Sequence, residues 1–171
     1  MQPTTANYAV TNGDFFLKID GIDGESKDSK HLHAIDIDAW SWGETNHGSM
    51  SHGGGGGAGK VKVEDFRFSM RINKATPKLM LACAVGEHIP KAKLVVRKAG
   101  QQQQEYFTIN FYDVLISSYQ TKANGADNLI PHAEVSLNFA KFEVEYREQL
   151  SNGQLTGPIK AGFDVKKNVP T

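Results

Sequence analysis

The chain has little that could anchor a covalent frame or a reaction. There is one cysteine, Cys83, so no disulfide can form within the chain, and a reducing compartment suits it. Cys83 lies in an apolar run and reads as a small buried hydrophobe rather than as a catalytic thiol. An excess of either charge is also missing, because Lys plus Arg and Asp plus Glu each number 19. General nucleic-acid binders and polybasic membrane modules need surplus positive charge, so neither is expected. Zero net charge also leaves self-association unopposed. No apolar run reaches the length of a membrane span, so membrane insertion is not expected. The first residues, MQPTTANYAVTNGDFFLKIDG, lack the basic start and apolar core of a signal peptide. The expectation is a chain that folds in the cytoplasm and, if exported, leaves without a cleaved signal.

Motifs that carry chemistry are absent or incomplete. Gly54, Gly59 and Lys60 fit G-x-x-x-x-G-K, but the next residue is Val61, where a phosphate-binding loop needs a Ser or Thr hydroxyl for Mg²⁺. Such a loop must also open a helix, whereas VKVEDFRFSMRI alternates as a strand does. Lys60 is therefore read as the start of a strand. The acid-rich DGIDGESKD fails the calcium-loop spacing, with Ile22, Glu25 and His31 at its third, sixth and twelfth positions. His31 and His33 could share a strand face, but no further ligand at fixed spacing stands out. Asp36 and Asp38 would share a strand face too, and would repel unless exposed or paired with base. No nucleophile elbow or Cys/His pair is flagged. Neither metal nor cofactor is expected, and no enzymatic activity.

What is present is mostly β pattern. After a polar arm at 1–13, Asp14–Asp20 reads as a strand with Phe15, Leu17 and Ile19 on one face, followed by a turn-rich loop at 21–31. A second strand is expected from Ala34 to Trp42, then the glycine tract, then a third strand over 61–72. One helix follows. Thr76 is expected to cap it, Pro77 suits its first turn, Leu79, Met80, Ala82 and Cys83 form its apolar stripe, and Gly86 stops it. KLVVRKA is a strand, a glutamine-rich turn follows, and EYFTINFYDVLISSYQTK and AEVSLNFAKFEVEYRE are two long strands. A short strand near Gly162–Lys166 ends the pattern, which suggests one domain folded as a barrel or a sandwich.

Three strands skip three residues once instead of two: Ile35, Ile37 then Trp40, Trp42; Phe107, Ile109, Phe111 then Val114, Ile116; Val135, Leu137, Phe139 then Phe142, Val144, Tyr146. Each skip fits a β-bulge, and three bulged strands predict a closed or strongly curved sheet. The alternative at each is one large residue facing outward.

Taken in order, FLKIDGIDGESKDSKH, AWSWG, GGGGGAGKV, Thr76 to Met80, KAKLVVRKAG, SLNFAKFEVEY and GPIKAGFDVKKNV resemble the Hcp family, the haemolysin-coregulated proteins of the bacterial type VI secretion system. The resemblance runs from about Phe15 to Val169 over residues 1–171, taken as a single domain. It implies a mainly β, barrel-like fold of two curved sheets with one flanking α-helix. It further implies a homohexameric ring, stacking of rings into a tube, and small effector proteins in the lumen. A tip spike protein, a contractile sheath and a baseplate would be partners. No room is seen for a fused C-terminal toxin domain. The family's ring-stacking loop corresponds to residues 43–60, namely Gly43, Glu44, Thr45, Asn46, His47, Ser49, Met50, His52, Gly53, Gly57 and Lys60 among others. With Trp40 and Trp42 turned inward, Ser41 would face the lumen, or else be an ordinary strand-surface residue. The rival reading is a monomeric β-barrel that binds a small ligand or acts as an enzyme.

Overall fold

A computed structural model describes residues 13–47, 60–98, 103–123, 125 and 130–171. The glycine tract itself, with Ser49, Met50, His52, Gly53 and Gly57, lies outside the described residues, as does the arm at 1–12.

The first strand, β1 (Asp14–Ile19), falls where its alternation predicts, with Leu17 and Ile19 in the main core. The second expected strand is broken in two, β2 (Ile35–Asp36) and β3 (Ala39–Ser41). Next come β4 (Glu44–Thr45), β5 (Lys62–Val63) and β6 (Phe66–Arg71). Helix α1 (Thr76–Val85) is followed by β7 (Ile89–Arg97), β8 (Glu105–Lys122) and β9 (His132–Tyr146). β10 (Ile159–Asp164) and β11 (Val169–Pro170) complete the order.

One antiparallel sheet runs β11-β10-β9-β8-β7-β1-β2, and β6 joins it against β9 with β3 on its far side. Because β2 and β3 are adjacent pieces of chain, the sheet curls until its two ends meet there. The Ile37 N–H donates to Phe15 O of β1, and the next one, on Asp38, donates to Ser69 O of β6. The skip after Ile37 is thus a corner where one segment changes partner, rather than a bulge within one strand.

The two other skips also differ from expectation. Phe111 pairs Phe142 and Val114 pairs Phe139, so β8 and β9 change phase together at Asp113 and Ala140 and keep their register. Asp113 bears the strain with φ +52°, a left-handed value uncommon outside glycine. The register shift in this ladder falls elsewhere, between Ile116 and Ser118, and a second separates Val96 from Arg97 against β8.

The interior is aromatic. Phe66 and Phe111 are fully buried with ring centroids 4.9 Å apart, and Phe111 meets Phe139 at 4.7 Å. Helix α1 closes the core from one side, packing against β8 with Leu79 and Ala82 buried. Thr76 is not its cap. Ala75 occupies that position, and Asn73 serves the helix start instead, its Oδ1 accepting from Ala75 N at 2.8 Å. Met80 is exposed together with Leu81 and Val85, so the buried stripe is narrower than predicted. Gly86 ends the helix as expected, at φ +64°. Cys83 is a partly buried free thiol packed on the core.

Candidate functional site

Two neighbouring features near β3 hold those predicted site residues that the structure describes. The first is a ribbon. Among the described residues β4 and β5 pair only with each other, with Glu44 opposite Val63 and Thr45 opposite Lys62. Its two arms are closed at the base by Glu64 N donating to Gly43 O at 3.0 Å, and Trp42 Nε1 ties that base to the core by donating to Glu64 O at 3.1 Å. Trp42 itself packs edge-on against Phe142 at 4.7 Å. Gly43, Glu44, Thr45, Asn46 and His47 form one arm of this ribbon or continue from it, and Lys60 precedes the other. The strand begins at Lys62 rather than at Lys60. The described part of the expected loop is thus a short two-stranded ribbon whose base extends to Glu64.

The second feature is the outward face of β3, β6, β9 and the end of β8. Trp40 lies on the inner face, its ring 6.0 Å from both Phe66 and Phe107. Because side chains alternate along a strand, Ser41 points the other way and is exposed. It sits opposite Arg67, which in turn sits opposite Ser136. A groove of about 540 Å³ follows this face, and its lining includes Ser41, Arg67, Ser69, Ser118 and Ser136 together with Asp65 and Glu134. Ser118 Oγ donates to Ser136 Oγ at 2.9 Å. Ser117 Oγ and Asn138 Nδ2 donate to the two carboxylate oxygens of Asp65, at 2.6 and 2.8 Å. Glu134 is paired with Lys122 at 3.0 Å.

Charges elsewhere are mostly structural. Arg97 is buried yet ion-paired to Asp14 and Asp28, both at 2.8 Å, and its guanidinium lies over the Phe16 ring at 4.8 Å. The Arg97 guanidinium beside Asp28 holds that carboxyl below its usual value. Burial alone would lower the Arg97 pKa, but Asp28 and Asp14 together raise it. His31 is not a strand residue. It stacks on Phe16 at 4.3 Å and bonds Glu105 at 2.7 Å, while His33 is exposed with φ +64°. Asp38 meets His132 at 3.5 Å, and the corner separates it from Asp36. On the opposite outer face, Lys141 draws the Glu143 carboxyl down, helped by the Tyr112 hydroxyl. Among the described residues no cluster of His, Cys, Asp and Glu could hold a metal ion.

Sequence patterning marked Ser41 and the ribbon but not Arg67 or the serines of β8 and β9. Those residues converge only through strand order, which alternation along one strand does not reveal.

The family model described as "Type VI secretion system effector, Hcp" matches residues 16–146. The protein hcp1 of Pseudomonas aeruginosa is 48% identical over 158 residues, covering 91% of this chain and 97% of that one. Among solved structures, Hcp1 from Salmonella typhimurium is 35% identical with a TM-score of 0.75, over 93% of this chain and 99% of that one. A further solved structure, of a type six secretion system protein, reaches a TM-score of 0.88 at 27% identity, over 92% of this chain and 99% of that one. The chain belongs to the Hcp family of type VI secretion system proteins.

Proposed function

We propose that the protein is a structural subunit of the type VI inner tube. Six copies form a ring, rings stack, and small effector proteins travel in the lumen. The protein catalyses no reaction. It works with a spike at the tip, a surrounding contractile sheath and a baseplate, and leaves the cytoplasm through that machine.

The observation that carries this reading is the β4–β5 ribbon. Among the described residues it pairs with no other strand, yet Trp42 fixes its base to the core. A ribbon anchored rigidly at one end suits contact with the next ring. Residues 43–60 are assigned to that contact. Ser41, on the hydroxyl-rich face beside the ribbon, is assigned to the lumen.

Light scattering and negative-stain imaging test the assembly. Open-centred rings are expected, and a monomer at high concentration would overturn the tube reading in favour of a small-ligand barrel. Deleting Ser51–Gly57 should leave rings intact and abolish tubes, so a deletion variant that still polymerises would sink the assignment of the stacking loop.

A further inference from the structure

The loop between β1 and β2 forms a strap over the outer side of β1 and β7. Its ends are fixed in the main core by Ile22 and Ile35, but residues 23–33 are held differently. Among the described residues, the backbone hydrogen bonds of 24–34 stay within the strap, as from Gly24 N to His33 O at 2.8 Å and from Ser26 N to Ala34 O at 3.0 Å. The strap is therefore a preformed unit. Beneath it lies a small apolar cluster of Phe16, Ala34 and Val95, separate from the main core. Ionisable side chains tie the strap to the body. Asp28 pairs with Arg97 of β7 at 2.8 Å and His31 with Glu105 of β8 at 2.7 Å, while Glu25 accepts from Lys74 N at 3.3 Å. Left-handed residues stand at its two ends, Gly21 at φ +78° and His33 at φ +64°.

Arg97 and His31 both rest on the Phe16 ring, at 4.8 and 4.3 Å. The Arg97 side chain is 4% exposed, and a guanidinium cannot shed its charge. Its acids can. Asp14 of β1 and Asp28 of the strap are each 2.8 Å away, and Asp36 of β2 lies near, bonded to the buried Ser26 hydroxyl. Lys30 and Lys93 stand with Glu105 around an adjoining groove and add positive charge. Once the carboxylates take up protons, a buried cation is left without a counter-charge and must be hydrated. β1 and β7 are locked together by their ladder, so the strap is what can move to admit water. We propose that residues 23–33 are an acid-released strap, which lifts from Arg97 as one unit and uncovers Phe16 and Val95 while the sheet stays paired. The order of protonation follows from the surroundings. Burial, with Asp14 and Asp28 nearby, holds Asp36 above its ordinary value, so it takes a proton early and relieves crowding among the acids. The Arg97 guanidinium holds Asp28 below its ordinary 3.8. Closure therefore survives weak acid and is lost as pH falls through the native Asp28 value.

The test uses the full chain and amide hydrogen exchange read peptide by peptide, each rate divided by the chemical rate at that pH. From about pH 6 to about pH 4.5 the strap amides should keep their protection. By about pH 3 they should lose about tenfold or more, while those of β9 lose about twofold or less. Asp28→Asn should loosen the strap already at about pH 6 and flatten its acid response. Arg97→Met, which removes the cation and keeps much of the bulk, should abolish the release. Four results would each overturn the proposal: strap and β9 losing protection together, no loss by about pH 3, an Asp28→Asn strap that follows the parent at every pH, or a folded Arg97→Met protein that still releases. Should Arg97→Met not fold, the parent and Asp28→Asn profiles decide it alone.

Discussion

Ile37 and Asp38 are adjacent in sequence but bond to opposite ends of the sheet, Ile37 N to Phe15 O at 3.2 Å and Asp38 N to Ser69 O at 2.8 Å. One peptide step therefore holds the seam of the curled sheet. Asp38→Ala removes only a half-exposed contact with His132 and should cost about 1 kcal/mol or less. Asp38→Pro removes the bonding N–H and should cost about 3 kcal/mol. Urea unfolding followed by tryptophan fluorescence separates the two, and equal costs would count against the seam.

The Arg97 clasp gives a signed pH dependence. Asp28 titrates lower in the folded protein than its ordinary value of 3.8. Its ionised form thus adds stability above that pH, which is lost as pH falls through the lower native value. Asp28→Asn should reduce stability at neutral pH and flatten the loss on acidification. Urea midpoints from neutral pH down to pH 3 measure both effects, and an unchanged acid limb would contradict the pairing.

Helix α1 offers a paired test of its narrow buried stripe. Leu79 is fully buried and Met80 is 54% exposed. Leu79→Ala should cost about 2–5 kcal/mol by transfer and cavity formation. Met80→Ala should stay within about 0.5 kcal/mol. Similar values for both would mean the helix is rotated from its described orientation.

Placement of Ser41 in the lumen predicts a labelling pattern. With Cys83 replaced by serine, a Ser41→Cys thiol should react readily with a bulky maleimide in empty rings. It should be protected when an effector is loaded. Reaction at the same rate with and without cargo would make residue 41 an ordinary surface position.

Lys60→Ala provides a check on the discarded nucleotide reading. Lys60 is exposed and precedes the ribbon strand rather than a helix. The substitution should leave tube assembly nearly unchanged, and phosphate should not protect the loop from proteolysis.

The long strands were legible because their outward residues are polar and their inward ones apolar, as in Val135, Leu137 and Phe139 against Glu134, Ser136 and Asn138. The phase skips were visible too, but their meaning was not. A skip in one chain segment cannot tell whether the partner strand skips with it, as at Asp113 and Ala140, or whether the segment changes partner, as after Ile37. Thr76 misled because Asn73, three residues earlier, supplies the bond to the helix start. Arg97 was hidden for a different reason. A charged residue ending an apolar run reads as exposed, and only the fold brings Asp14 and Asp28 to it. Of the groove, Ser41 could be read from its tryptophan neighbours, whereas Arg67 gained its place from strands far apart in sequence.

β9 has a divided neighbour. One edge pairs with β8 along its length, while the other is shared by β6 over its first half and β10 over its second. The two halves of the molecule therefore have no independent route to opening, since each must strip the same strand. Amide hydrogen exchange should find the β9 protons among the slowest in the protein, with one shared protection free energy across residues 133–146, and those of β11 among the fastest. Strands so distant in the chain must meet before any of this forms, so folding should be slow for its size and a single late event. A subunit that opens all at once or not at all is well suited to bearing force along a tube.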